Sequence, residues 1–362
     1  MNKIALICNR NYSVKRFRKN LIEDLKKEGY QVSLVIIDDS DEKIIIDDVD
    51  IHYIQDNNRS INPLKKIKLQ KEIENVLSII KPNKVFTFQV TPNTFGILAA
   101  HNNKIDDIYS MVEGAGDVFI FNTLKWKLIR FFTCILYRNA FKYVKKVFFL
   151  NDDDKDEFIE RRLVQKNQCI VVPGIGVDTD YFAYKPITNT NTFLMIARMM
   201  PAKGVIEYCK VARIVKKVHP ETVFNYIGEE FTLTKKDIQE YIDDGSINYL
   251  GYQEDVRPFI ENCFVYVHPS YYREGFPMVI MEACSVGRAT IGLHNVGAKE
   301  IIKDGYNGFL VEKYNLNDLA NRIIYAIEHK KEMIEMGKNA RTLAKNKFNS
   351  VLINERIIKH VS

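Results

Sequence analysis

The sequence predicts an α/β protein made of two Rossmann-like domains, each a doubly wound parallel sheet, facing one another across a cleft. Three observations predict it. Short apolar runs of strand character alternate with amphipathic helices, the pattern of a parallel sheet covered on both faces. That alternation runs once, is interrupted by a stretch rich in Gly, Pro, Thr and Asn, and then starts again. The 362 residues exceed one typical domain, and with 46% hydrophobic and 27% charged residues each half has the material for its own core.

The elements follow in order. KIALIC reads as a buried strand, VKRFRKNLIEDLKKEGY as one amphipathic helix ending at Gly29, and QVSLVII as the next strand. KVFTFQV precedes the helix NTFGILAAHNN, and KVFFL precedes the acidic helix start NDDDKDEFIERRL. The linker is VVPGIGVDTDYFAYKPITNTN. Beyond it, NTFLMIA, TVFNYIG, INYLGY, FVYVHPS, ATIGL and GFLVE read as strands, with helices at GVIEYCKVARIVKKV, at DVRPFIENC and after Pro277. The division is residues 1–172 for the first domain, 173–189 for the linker and 190–333 for the second domain. Residues 334–362 hold a final helix, about 334–360, that packs back on the first domain.

Composition narrows the chemistry. A net charge of +6 favours anionic ligands or an anionic surface but is too mild for a nucleic-acid binder. The six cysteines stand singly with no C-x-x-C, so neither a zinc site nor a disulfide framework is expected, and a reducing cytoplasm fits. The opening MNKIALICNRNY is too short an apolar run for a signal peptide, and nowhere do about 18 apolar residues run together to span a bilayer. No G-x-G-x-x-G follows the first strand, which weakens an oxidoreductase reading. The seven histidines are dispersed, and no metal site and no cofactor are expected.

The most informative stretch is HPSYYREGFPMVIMEACSVGRATIG, residues 268–292. Pro277 suits a helix's first turn and Gly287 its exit. This puts Glu274 in the loop after a strand and Glu282 about one and a half turns into the helix, near the face of Met278. Backbone N–H groups of Gly275, Met278 and Val279, with Phe276 between, would form an anion site at the helix start. Ligands of doubly wound sheets bind beyond the carboxyl ends of strands, where this loop lies. A carboxylate on each side of a phosphate site suits a ligand with hydroxyls at both ends of a diphosphate. Glu282 would accept from a ribose and Glu274 from a sugar, as in a nucleotide sugar. Taken alone, both are equally readable as ordinary helix-entry acids. A second turn, IARMMPAKG, places Arg198 and Lys203 beside another helix opening at Gly204, two cations able to clamp a diphosphate. D-x-D triplets begin at Asp39, Asp48, Asp152 and Asp178, among others; that at Asp178 is assigned to the linker and the other three to solvated acidic runs.

The second half resembles the retaining glycosyltransferases of the GT-B fold, family 4. The stretches that carry the resemblance are ARMMPAKG, YIGEE, YLGYQEDV, HPSYYREGFPMVIMEA and DGYNGFLVE, over roughly residues 190–325, with GIGVDTDYF at the linker. The resemblance implies that Arg198 and Lys203 hold the donor diphosphate, that Glu282 binds ribose and that Glu274 binds the transferred sugar. It puts Gly228 of YIGEE at the donor and Tyr252 of YLGYQEDV near its base. The first half, through NTFGILAA and VEGAGDVF, resembles a bacterial subgroup acting on undecaprenyl-diphosphate-linked sugars, N-acetylgalactosaminyltransferases among them. Glu113, before Gly114, stands where the wider family often has a histidine, and a catalytic role is carried over to it. CNRNYSVKRFRK replaces the Gly-rich turn of many relatives, leaving Lys15, Arg16 and Arg18 free to meet an acceptor diphosphate.

One segment suggests a location. From Val118 to Asn151 there is no acid, while Lys125, Lys127, Arg130, Arg138, Lys142, Lys145 and Lys146 supply seven bases around Trp126, the only tryptophan. Bases among aromatic and aliphatic residues suit an anionic bilayer, so the protein is expected on the inner face of the plasma membrane, although a core helix with a cationic outer side gives the same pattern. The expected partners are a nucleotide sugar, a polyprenyl-diphosphate-linked glycan acceptor and an anionic membrane surface, with no nucleic acid. Such an enzyme would serve capsule, O-antigen or related glycan assembly. The competing readings are a transferase for a soluble or lipopolysaccharide-core acceptor, a non-enzymatic sugar-nucleotide binder, and a nucleotide-sugar epimerase.

Overall fold

The computed structural model describes residues 2–40, 42–56, 63–114, 116–120 and 123–362. The chain divides into two units. One comprises residues 1–175 and 350–362, the other residues 176–349.

The first unit holds seven parallel strands: β1 (Asn2–Asn9), β2 (Tyr30–Ile37), β3 (Asp50–Ile54), β4 (Lys84–Phe88), β5 (Asp107–Val112), β6 (Lys146–Phe149) and β7 (Cys169–Val171), in the order β3-β2-β1-β4-β5-β6-β7. β1 pairs with both β2 and β4, so the strand order reverses beside it. β1, β4 and the inner part of β2 are almost wholly buried, as their unbroken apolar runs require. β3 and β5 were not singled out from the sequence. β3 lies at a sheet edge and is only partly buried, so its apolar signal is weak.

The second unit holds β8 (Thr192–Ile196), β9 (Val223–Ile227), β10 (Asn248–Tyr249), β11 (Val265–His268), β12 (Ala289–Leu293) and β13 (Gly308–Val311), in the order β10-β9-β8-β11-β12-β13. Here β8 pairs with both β9 and β11, and the loops that follow β8 and β11 stand side by side. A doubly wound sheet binds its ligand at that reversal.

Three expectations change in detail. The first helix is two, Asn11–Phe17 and Lys19–Lys27, with a kink at Arg18 whose side chain turns into the interior. The final helix is also two: Lys330–Lys347 belongs to the second unit and Ser350–Val361 to the first. The buried Lys84 Nζ donates to the Ser362 carbonyl at 2.9 Å and bonds that of Val361, tying the chain end to β4. Much of the expected linker is docked on the second unit. Arg288 Nη1 donates to Lys185 O at 2.7 Å, and Arg341 Nη1 donates to Thr179 O at 3.0 Å and Phe182 O at 3.2 Å.

Candidate active site

The helix Met278–Val286 begins after β11 with Pro277 as its N-cap, one position before the expected first turn, and ends at Gly287 in the left-handed region. The helix Val205–Val218 begins after β8 at Gly204, also left-handed. Neither first turn is capped by a side chain, so the partial positive charge of both helix starts is available at the strand reversal.

The loops there are interlocked. Tyr271 N and Tyr272 N both donate to Ala202 O, at 2.8 and 2.9 Å. Asn295 Nδ2, from the loop after β12, donates to Tyr272 O at 2.7 Å. A Cβ on Gly204 would sit 2.0 Å from Pro269 O, and one on Gly297 would sit 2.6 Å from Glu274 O. Only glycine permits these approaches, and both residues have φ near +70° (75° and 69°), where it is also the favoured residue.

This packing brings Lys203 and Glu274 together. Lys203 Nζ donates to Glu274 Oε1 at 2.6 Å, with the two side chains 13% and 21% exposed. Ser270 Oγ donates to the same oxygen at 3.1 Å, and His268 Nε2 lies 3.3 Å from it. Burial pushes the Glu274 carboxyl up, but the Lys203 ammonium and then His268 outweigh it and hold the group well below the usual carboxylate range. Lys203 also lies 5.1 Å from the Tyr272 ring centroid. Arg198 is exposed, its guanidinium 5.0 Å from the ring centroid of Phe231. Gly275 and Phe276 are buried in the loop, Met278 and Val279 are half-buried in the helix's first turn, and Glu282 is buried one turn further along. Gly228 is buried, its N–H donating to Gly251 O at 2.9 Å and its carbonyl accepting from the Tyr249 hydroxyl at 2.8 Å. Tyr252 is exposed in the loop after the edge strand β10.

In the first unit, Glu113 follows β5 directly and Gly114 comes next, half-buried. Arg18 was expected to be free for an acceptor diphosphate. It is instead buried: Nη2 bonds Glu113, Nη1 donates to Phe17 O at 3.1 Å, and the guanidinium lies 4.0 Å from the Phe88 ring centroid. Non-local packing against β4 and β5 draws it inward. Lys15 and Arg16 are exposed, Lys15 paired with Glu42 and Arg16 6.0 Å from the Tyr12 ring centroid. Burial pushes the nearby Cys8 thiol up to about 12, so it stays protonated at neutral pH.

The acidic triplets are taken up locally. Asp178 accepts from Asp180 N at 3.0 Å and Tyr181 N at 2.9 Å, an Asx turn. Asp152 binds Lys155, Asp154 N donates to the N-cap Asn151 at 2.8 Å, Asp48 lies 4.0 Å from Lys26, and Asp39's partner position 41 is outside the described residues. Among the described residues no three His, Cys, Asp or Glu side chains converge as metal ligands would. The sequence reading missed His268, Ser270, Asn295 and Gly297. The available signal for His268 was its place as the last residue of a strand opening onto the Glu274 loop.

Two parallel sheets with a basic loop and an acidic loop at the strand reversal of the second define the GT-B class, and solved structures agree. The chain aligns over 99% of its length, and 99% of the other, with Anabaena HepE in complex with UDP and glucose (TM-score 0.78, 16% identity). It aligns over the whole of both chains with WaaG, a glycosyltransferase involved in lipopolysaccharide biosynthesis (TM-score 0.78, 14% identity). Residues 177–343 match the model of glycosyl transferases group 1, and residues 3–151 that of glycosyl transferase 4-like domains. The chain belongs to these glycosyltransferases. It is similar to the N,N'-diacetylbacillosaminyl-diphospho-undecaprenol alpha-1,3-N-acetylgalactosaminyltransferase of Campylobacter jejuni, 27% identical over 99% of this chain and 100% of the relative. It is also similar to an Escherichia coli UDP-Gal:alpha-D-GlcNAc-diphosphoundecaprenol alpha-1,3-galactosyltransferase, 24% identical over 93% and 90%.

Proposed function

We propose that the protein is a retaining, metal-independent hexosyltransferase of family 4. Its donor is a UDP-hexose or UDP-N-acetylhexosamine, and its acceptor a polyprenyl-diphosphate-linked sugar in bacterial surface polysaccharide or glycan assembly. The observation that carries the reading is the convergence of Lys203, Glu274 and two helix starts without side-chain caps at the strand reversal of the second unit. The acceptor class is supported by the names of the two full-length relatives, both of which act on undecaprenol-diphosphate-linked sugars.

In this reading the second unit binds the donor. Lys203, with Arg198 and the helix amides, takes up the charge that grows on the leaving diphosphate. Glu274, kept ionised by Lys203 and His268, accepts hydrogen bonds from the transferred sugar, and Glu282 accepts from the ribose. The bond from the anomeric carbon to the diphosphate oxygen breaks while the acceptor hydroxyl bonds the same face of that carbon. The hydroxyl proton passes to the departing phosphate oxygen, so configuration is retained. The first unit binds the acceptor, with Glu113 held by Arg18 and the diphosphate met by Lys15 and Arg16. The basic run 118–151 keeps the protein on the anionic inner face of the membrane where such an acceptor resides.

The test is a panel of nucleotide sugars incubated with a short-chain polyprenyl-diphosphate sugar, with thermal shift for binding and NMR for the anomeric configuration of the product. Transfer with retention from a UDP-sugar is expected. An isomerised nucleotide sugar formed without acceptor would make the protein an epimerase, and binding with no turnover would make it a sensor. Efficient transfer to a soluble core oligosaccharide alone would replace the lipid acceptor.

A further inference from the structure

Lys203 and Glu274 are bonded to each other, yet the reaction proposed above asks for each elsewhere: Lys203 on the donor's diphosphate, Glu274 on the transferred sugar. An incoming diphosphate therefore competes with their ion pair. Taking Lys203 away strands a carboxylate that is only 21% exposed, and a largely desolvated charge without a partner is costly. Burial by itself pushes the Glu274 carboxyl up, and the Lys203 ammonium is the largest influence that holds it down. Two further groups reach the same oxygen. Ser270 Oγ donates to Glu274 Oε1 at 3.1 Å, and His268 Nε2 lies 3.3 Å from it. A carboxylate only accepts, so the imidazole meets it through Nε2–H.

These two donors are held differently from Lys203. His268 is the last residue of β11, inside the sheet between β8 and β12 and in register with Gly292. It is 7% exposed, and its ring lies 6.1 Å from that of Tyr266. Ser270 is buried, and its carbonyl accepts from Asn295 Nδ2 at 3.3 Å. Lys203 instead ends the single turn Pro201–Lys203, on a four-carbon stem that is able to swing. All three contacts fall on Oε1, which leaves Oε2 for a sugar hydroxyl. We infer that His268, with Ser270, is a positioning residue for sugar transfer: it holds Glu274 by Oε1 while Lys203 leaves for the donor diphosphate. The inference rests on the donor reading above and deepens it. The ammonium departs from a carboxylate that keeps two hydrogen bonds, so the handover avoids a buried, unpaired charge.

UDP and, separately, inorganic pyrophosphate are titrated into the full chain by calorimetry. Neither probe carries a sugar, so any effect of His268 on their binding must pass through Glu274 and Lys203. His268→Leu should raise the dissociation constant of both by about tenfold or more, the scale of one hydrogen bond to a charged group. His268→Gln, which keeps an N–H near the Nε2 position, should bring it back to within about threefold of wild type. Ser270→Ala removes a single oxygen and should raise the constant by about fivefold, a second reading that does not depend on the leucine variant folding. Glu274→Gln frees Lys203 and should bind at least as tightly as wild type, and adding His268→Leu to it should change affinity by less than about twofold. If UDP binds the leucine and alanine variants as it binds wild type, Lys203 bridges carboxylate and phosphate together; the handover is overturned and the donor reading stands. A loss that persists in the Glu274→Gln background would mean that His268 acts on the fold, which also overturns it. If pyrophosphate shows the expected pattern but no form binds UDP, the donor reading fails and the handover stands. If neither probe binds any form, both fall.

Discussion

Each unit sets a cation against a carboxylate near the carboxyl end of its sheet, and the two pairs differ in chemistry. Arg18 is 1% exposed and its partner Glu113 18%. The planar guanidinium bonds Glu113 and a backbone carbonyl and lies over the Phe88 ring, an arrangement with no room for reorientation. Lys203 is a point charge on a flexible stem, and both it and Glu274 are partly reachable from solvent. A buried, multiply bonded arginine fixes the position of an acid. A partly open lysine is able to exchange that acid for an incoming phosphate. The sequence places the same charges in both units; burial sets the fixed pair apart from the partly open one.

Mutations that exchange the two behaviours test this. The largest effect is expected from Arg18→Met, which leaves Glu113 without its buried partner. It should cost about 3–5 kcal/mol of stability by denaturant unfolding, and a melt unchanged from wild type would mean Arg18 is not structural. Lys203→Ala and Arg198→Ala should do the reverse, keeping the fold while turnover drops by about 10²-fold or more. Near-wild-type turnover in both would remove them from the reaction. A smaller effect concerns acid. Because Glu274 is held below the ordinary carboxylate range, its pairing should support the fold at neutral and mildly acidic pH and be lost only as pH falls through that lowered value. The melting-temperature difference between wild type and Glu274→Gln should therefore stay constant from about pH 8 to 5 and close only in stronger acid. A difference that closes at about pH 4.5, the usual range, would mean that Lys203 and His268 do not hold the group. The smallest effect is expected from EDTA, which should leave activity within about twofold if Lys203, Arg198 and the helix amides carry the diphosphate charge. Complete loss, restored by manganese, would return Asp178 and Asp180 to consideration as ligands.

What the sequence made legible were features written locally. The alternation of strand and helix, the restart after the Gly- and Pro-rich stretch, and the loops PAKG and EGFP could each be read within a dozen residues. Arg18 was misread because its burial depends on Phe88 and Glu113, which lie 70 and 95 positions away in sequence. Asn295 and Gly297 escaped notice for the same reason: their importance exists only once the loop after β12 lies against that after β11. His268 looked like one of several dispersed histidines until the sheet placed it 3.3 Å from Glu274.

If the second unit binds the donor as proposed, the close approaches at Gly204 and Gly297 bear on how donor preference is to be re-engineered. With a missing Cβ on each side of the loop Pro269–Pro277, that loop is clamped between two neighbours and has no slack of its own. A loop transplanted alone from a relative with another sugar preference would collide with the residues that remain. The loops after β8, β11 and β12 form one exchangeable cassette, and specificity swaps should succeed when all three are grafted together and fail when any one is moved singly.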